Sequence, residues 1–427
     1  MFRSKQVLFS ILILISFLVT LLFRFSNLGI AQEIITLRIS TWPADPAEEN
    51  LYKKWAQEFE KLHPNIKVKV EVIPTGYAEK IMTSAAAGQL PDIFRSAGSD
   101  LPERVENGLY MPLKKEWLRQ INLSDLYPVV RDGGTYKGKL YGWDPHLSAY
   151  CLHYNKDHFK EAGIAPPSSS WTWETVTKVA AKLTKKTGER IERYGLQCDE
   201  LNRWWIIITW TLGGEVFDKE YTKPLFPSPE TINAAKYIKD LATVYSVSPP
   251  PGQAGGLGAR EAFQSGRCSM LFDGIWMNRF FNMKKELNHG TAVIPKGVKR
   301  ATMAIPCLWG ISSQTKHPEE AWELLKFWVN VEHALEFCDY GGPDAYGIPV
   351  WKSALKDPRW KVSDLLKTQV LMSSYSRTDP IFLGAGRWSW EMLLPTLQAI
   401  VLGQKDINQA LTELASKTQD LLRSGKK

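Results

Sequence analysis

The chain lacks the short motifs that announce chemistry. It has no GxSxG, no HExxH and no phosphate-cradling P-loop, and its seven histidines form no cluster with ligand-like spacing. Its five cysteines, Cys151, Cys198, Cys268, Cys307 and Cys338, include no CxxC pair, which removes zinc-ribbon and thioredoxin-type readings. Their number is odd and their spacing irregular. One or two disulfides and buried free thiols both remain open, since each cysteine sits in an apolar run. No internal repeat, low-complexity tract or basic stripe is present, and a diffuse positive balance gives no argument for nucleic acid. The formal charge of +8 includes Arg3, Lys5 and Arg24 near the start, so the rest of the chain carries about +5. Only a mild preference for anionic surfaces or ligands follows.

What is present begins with an export signal. Arg3 and Lys5 precede the apolar run Val7 to Phe23, and Gly29-Ile30-Ala31 places small residues at the positions expected before a cut at Gln32. Residues 1–31 therefore read as a signal peptide, and the protein as periplasmic or secreted. An uncleaved membrane anchor is the alternative. No cysteine lies near the cut, which disfavours a lipid anchor. The remaining length, about 395 residues, exceeds what one core usually holds and suggests two lobes.

Seventeen tryptophans are the compositional excess, and many stand beside polar or glycine-containing turns. Along the chain, Ile34 to Thr41 and Lys67 to Val72 alternate as strands around a helix over Ala47 to Leu62, with Leu51, Trp55, Phe59 and Leu62 on one face. A helix over Tyr77 to Ala87 and a strand over Leu90 to Phe94 follow. This strand, helix, strand, helix, strand order opens an α/β lobe. Further on, Glu174 to Lys185, Ser228 to Tyr245 and the stretch after His317-Pro318 read as helices. Paired carboxylates such as Glu103 with Glu106 could be invoked for glycoside cleavage, but acids this close in sequence on a helix usually form a solvated face.

The most informative stretch is Tyr136 to Glu174. It holds, in order, Gly138-Lys139-Leu140-Tyr141-Gly142, Tyr154-Asn155-Lys156-Asp157, Gly163-Ile164, Pro166-Pro167 and Thr172-Trp173-Glu174. This ordered set resembles the solute-binding proteins of sugar-type ABC importers, the family that includes the maltose-binding protein. Two further patterns agree: Gly88 to Ile93, and Glu261 to Trp276 read as helix, glycine turn, strand and Trp. The resemblance runs from about Ile35 to Leu422.

It implies a two-lobed α/β fold of the periplasmic-binding type II, with discontinuous lobes. The N-terminal lobe would take 33–148 and 306–338, the C-terminal lobe 153–303 and 343–427. Chain crossings would fall at Ser148 to His153, Ala304 to Trp309 and Asp339 to Pro343. The implied function is capture of a sugar or oligosaccharide by hinge closure and delivery, as a monomer, to membrane permease subunits, without catalysis or cofactor. A non-sugar solute such as glycerol phosphate or a polyamine in the same fold, and a glycan-active enzyme or lectin, are the competing readings.

A sugar cleft needs flat apolar ring faces and hydrogen-bonding side chains together in a crevice. Through the resemblance, Trp276, with Asp273 just before it, is the leading candidate. Trp388 and Trp390 match the family's C-terminal aromatic position, Trp390 the better by spacing. Trp143 and Asp144 precede the first crossing. Ser96, Ser99 and Asp100 follow the third strand, at the carboxyl edge of a sheet, and Trp42 and Asp45 end the first strand. Trp309 lies at the second crossing, and Arg377 with Asp379 precedes the C-terminal site. Core packing competes for Trp42 and Trp143. Trp171, Trp173, Trp322 and Trp328 occupy helix starts or apolar helical faces and are assigned to packing.

Overall fold

The computed structural model describes residues 33–42, 46–198, 200–253, 256–340, 347–360 and 364–425. The leader, Asp45 and residues 341–346 lie outside these residues, and with them most of the expected third crossing.

Two sheets organise the chain. The elements that matter are β1 (Ile35–Thr41), α1 (Pro46–Leu62), β2 (Ile66–Val72), α2 (Tyr77–Ala86), β3 (Ile93–Ala97), β4 (Gly142–Trp143), β5 (Tyr150–Asn155), α3 (Trp173–Leu183), β6 (Gln197–Cys198), α4 (Leu201–Thr211), α5 (Pro229–Thr243), β7 (Met270–Gly274), β8 (His289–Ala292), β9 (Thr302–Ala304), β10 (Cys307–Ile311), α6 (Pro318–Trp328), α7 (Val331–Asp339) and β11 (Ser376–Thr378). The first sheet has the order β2-β1-β3-β10-β4, and the second β6-β7-β5-β8. In the first, β1 runs parallel to β2 and β3, as strand-helix-strand connections require, and β10 enters antiparallel with Trp309 opposite both Arg95 and Trp143. In the second, β5 is flanked antiparallel by β7 and β8, pairing Leu152 with Phe272 and with Ala292. Two α/β lobes and a connecting region result.

Between the sheets, Ala149 and Ala304 form an antiparallel bridge, and the Ile305 amide donates to the Ser148 carbonyl at 3.0 Å. The chain thus crosses twice side by side. The expected return to the C-terminal lobe at 343 needs correction. Ile348 pairs with Leu147, Leu126 bridges Trp351, and the Trp351 indole donates to the Val329 carbonyl at 2.9 Å. Residues 347–356 therefore pack with the N-terminal lobe, and the chain returns only before β11, which runs parallel to β9.

Local chemistry explains most boundaries. The Asn155 side chain accepts from the Asp157 and His158 amides, so β5 turns directly into the helix Lys156–Glu161. Thr172 caps α3, and Ser228 with Thr231 forms a reciprocal capping box at α5. Two expectations shift. The third strand spans Ile93–Ala97 rather than Leu90 to Phe94, because Asp92 caps the sheet edge: its carboxylate accepts from the Arg38 amide at 2.8 Å and from the Thr315 hydroxyl at 2.5 Å. Leu62, expected on the buried face of α1, is exposed at the last turn.

Aromatic residues fill both cores. In the first lobe Tyr52 and Trp55 of α1 pack on Trp309, Trp328 and Phe337, and Phe59 packs on Phe327. In the second, α4 is buried from Trp204 to Thr211, with Trp204 stacked on Phe272 at 4.1 Å. All five cysteines are free thiols. Trp173, Trp322 and Trp328 are buried, in keeping with packing roles.

Candidate ligand cleft between the lobes

The cleft-side wall of the second lobe starts from β5 and β7. Trp276 leaves the end of β7 just past Gly274, and a Cβ at Gly274 would fall 2.1 Å from the indole ring. Only glycine lets the indole fold back there. Trp276 then lies edge-on to Tyr150, ring centroids 5.2 Å apart, with part of its surface accessible. Tyr150 is buried beneath it and its hydroxyl hydrogen-bonds Glu200.

Glu200 and Arg203 stand at the start of α4, one turn apart. Arg203 donates to the Glu200 carboxylate at 2.7 Å, to the Tyr150 hydroxyl at 3.0 Å and to Asp379 at 3.3 Å. Its guanidinium lies 5.3 Å from the Trp390 ring centroid. Trp390 is 44% exposed, whereas Trp388 is fully buried with its indole N–H donating to Thr418 at 3.0 Å. Residues two apart on a helical turn point to opposite sides, which sends one tryptophan inward and the other out.

The first lobe contributes Trp42 and Asp100. Trp42 ends β1, packs edge-on to Tyr77 at 5.3 Å and has the Arg95 guanidinium 4.8 Å from its ring. Asp100 closes the 3-10 turn Gly98–Asp100 after β3, with Ser99 beside it, both partly accessible. Asp100 lies within electrostatic reach of Asp379 and Arg203 on the opposite lobe, and its turn packs against residues 385–387. Burial pushes the carboxyls of both Asp100 and Asp379 up. A cavity of about 1030 Å³ opens beside this cluster, between Tyr136 and Lys137 on one side and Tyr221, Thr378, Ile381 and Phe382 on the other.

Several expected contacts belong elsewhere. Trp143 and Trp309 are each 1% exposed: Trp143 packs edge-on to Trp351, and Trp309 lies against Tyr52 and Trp328. Neither offers a ring face to a ligand, and Trp388 is excluded in the same way. Ser96 is buried within β3. Asp273 is enclosed and doubly bonded by Arg260 at 2.6 and 3.0 Å. Asp144 accepts from Arg95 at 2.7 Å and lies 2.6 Å from His146, while Arg95 also bonds Glu48 at 3.1 Å. Burial pushes the Asp144 carboxyl up, but Arg95 and His146 outweigh it and hold the group below the usual range. These five acidic and aromatic sites and Ser96 are structural. Arg377 forms a two-pronged pair with Glu215 at 3.0 and 2.6 Å and lies 4.2 Å over Trp210, lining a separate pocket of about 410 Å³.

Sequence reasoning passed over Tyr150, Glu200 and Arg203. The available signal was an acid and a base at i and i+3 opening a helix directly after a short strand, at the carboxyl edge of a sheet.

The architecture has counterparts among known proteins. Residues 44–334 match the family model described as bacterial extracellular solute-binding protein. An arabinooligosaccharide-binding protein of Bacillus subtilis is 25% identical over 375 residues, covering 81% of this chain and 82% of its own. Two solved structures superpose with TM-scores of 0.78 at 22% identity, each over 91% of this chain. One is a Listeria monocytogenes substrate-binding protein in complex with cycloalternan, covered over 99% of its length. The other is a Thermotoga lettingae solute-binding protein bound with alpha-D-tagatose, covered in full. Such proteins serve ABC transporters outside the cytoplasm and bind rather than transform their solutes. The match over most of its length and the shared two-lobed fold make this chain a member of the bacterial extracellular solute-binding protein family.

Proposed function

We propose that this substrate-binding component of an ABC importer captures a neutral sugar or oligosaccharide between its lobes and presents the closed complex to the membrane permease. The lobes are drawn as 33–148 with 306–356, and 153–303 with the chain from about 364 onward. Export by the leader 1–31 would place the protein in the periplasm or outside the cell. The observation carrying the solute class is the combination of accessible Trp276 and Trp390 with the Glu200–Arg203–Asp379 cluster on one side, facing Asp100 on the other. Indole faces suit the apolar C–H faces of pyranose rings, and the paired charges suit hydroxyls. The nearby arginines Arg203 and Arg377 are already matched by carboxylates. That arrangement favours a hydroxyl-rich neutral ligand over a phosphate-bearing one. The names of the relatives, which include arabinooligosaccharide and mannitol binders, point the same way.

Thermal-shift screening against mono- and oligosaccharides, sugar phosphates and polyamines tests the class, since a ligand bound only by the native state raises Tm. A neutral sugar is expected to give the largest shift; a larger shift from a sugar phosphate or a polyamine would overturn the reading. With the best sugar, Trp276→Ala is expected to weaken binding by about 1–3 kcal/mol, the scale of one lost stacking surface, while Tm of the free protein changes little. Calorimetry measures it. An unchanged Kd, or a chain that no longer folds, would assign Trp276 to the core.

A further inference from the structure

On the side of α1 that faces α7, Glu58, His333 and Glu336 bring one nitrogen and two carboxylate ligand atoms within 4.8 Å of one another. His333 is 4% exposed and held between the rings of Trp55 and Phe327, at 4.5 and 4.4 Å. Its Nδ1 lies 2.5 Å from the Phe327 carbonyl oxygen, which can only accept. The proton is therefore on Nδ1, and the Nε2 lone pair points to the Glu58 carboxylate, 3.7 Å away. That separation is too long for a hydrogen bond. In the neutral imidazole Nε2 is then a bare acceptor. Two acceptors facing one another call for a cation between them.

The surroundings resemble a prepared ligand set. A ring nitrogen fixed by a backbone carbonyl on its far side is the arrangement that orients metal-binding histidines. Glu336 is oriented likewise, by the Trp55 indole N–H at 2.7 Å. Tetrahedral zinc with nitrogen and oxygen ligands at about 2.0–2.1 Å sets its ligand atoms about 3.4 Å apart. A small rotation of Glu58, which is partly solvent-accessible, closes the observed gap. Among the described residues the cation already at hand is the Lys54 ammonium, which pairs with Glu336 and lies 3.7 Å from Glu58. It sits at the edge, half exposed, and can swing away.

We propose that Glu58, His333 and Glu336 bind one divalent transition cation of the zinc type, in competition with Lys54, and so tie α1 to α7. Calorimetric titration of the purified full chain with ZnCl2 tests this. The expected result is a single equivalent bound with a Kd on the order of micromolar, weakened at least roughly tenfold by Glu58→Gln. Lys54→Met, which removes the competing ammonium, is expected to tighten binding by roughly tenfold. Glu58 and Lys54 are surface-accessible, and thermal melts of the metal-free variants verify that both stay folded. No saturable heat in the wild type, or zinc affinities unaltered by both substitutions, would overturn the assignment; the second result would locate the metal elsewhere on the chain.

Discussion

Arg95→Met is expected to destabilise the protein by about 3–5 kcal/mol, the cost of removing one member of a buried ion network. Arg95, Glu48 and Asp144 are all at most 4% exposed, and the guanidinium bridges the two carboxylates at 3.1 and 2.7 Å. Without it, both acids keep their other hydrogen bonds, Tyr52 to Glu48 at 2.6 Å and His146 with Asp144 at 2.6 Å, but lose the charge that makes their burial tolerable. The network has a specific place. It sits behind Trp42 at the end of β1 and reaches across to the other lobe through Arg279, 3.9 Å from Glu48. Guanidinium unfolding of the single variant, and of a triple variant that also carries Glu48→Gln and Asp144→Asn, separates charge from packing. The triple variant should recover most of the loss. If it is no more stable than Arg95→Met, the side chain acts through its volume and not through its charge.

Acid should expose a second buried group. Burial holds the His153 imidazole down to about 4, and His289, 6.4 Å away, is lowered to a similar value. His153 lies in β5 with Nε2 donating to the Gly274 carbonyl at 3.1 Å, and its buried Nδ1 has no hydrogen-bond partner to receive a second proton, which favours the neutral ring when folded. The unfolded chain takes up the proton first, near pH 6.5, which makes the stability contribution complete above that value. It is lost progressively as the pH falls from about 6.5 to about 4, by roughly 3 kcal/mol for His153 alone. Asp100 and Asp379 work in the opposite sense, since their raised carboxyls bind protons more readily in the folded state. The comparison must therefore be with His153→Gln, which cannot titrate there. Urea midpoints at pH 7 and pH 4.5 should fall more steeply for wild type than for the variant. Equal slopes would mean that His153 is charged in the folded protein.

Local signals carried the elements, and long-range ones decided the site. Thr172, Ser228 and Asn155 mark helix starts from their own side-chain chemistry, so these boundaries were readable within a few residues. The ordered set from Gly138 to Glu174 was enough to suggest the family and two lobes. Burial of individual tryptophans was not readable. Trp143 and Trp276 both stand next to glycine-containing turns, yet Trp143 is covered by Trp351, more than two hundred positions on, while Trp276 keeps accessible surface over Tyr150. The same limit hid the charge cluster. Arg203 and Asp379 are 176 positions apart, and only the fold sets the guanidinium against both Glu200 and Asp379. The segment 347–356 shows it again: it is expected in the C-terminal lobe, which would resume at 343, and its attachment to the first lobe rests on strand pairing with Leu147.

We propose that ligand holds the lobes closed, with the two adjacent crossings bridged at Ala149 and Ala304 as the hinge. If both lobes contact one solute, closure is favourable only when the solute is present. Small-angle scattering of the free protein, and of the protein saturated with the sugar that gives the largest thermal shift, measures this directly. A smaller radius of gyration is expected in the bound state with each lobe unchanged in shape; identical scattering profiles at full occupancy would contradict ligand-driven closure.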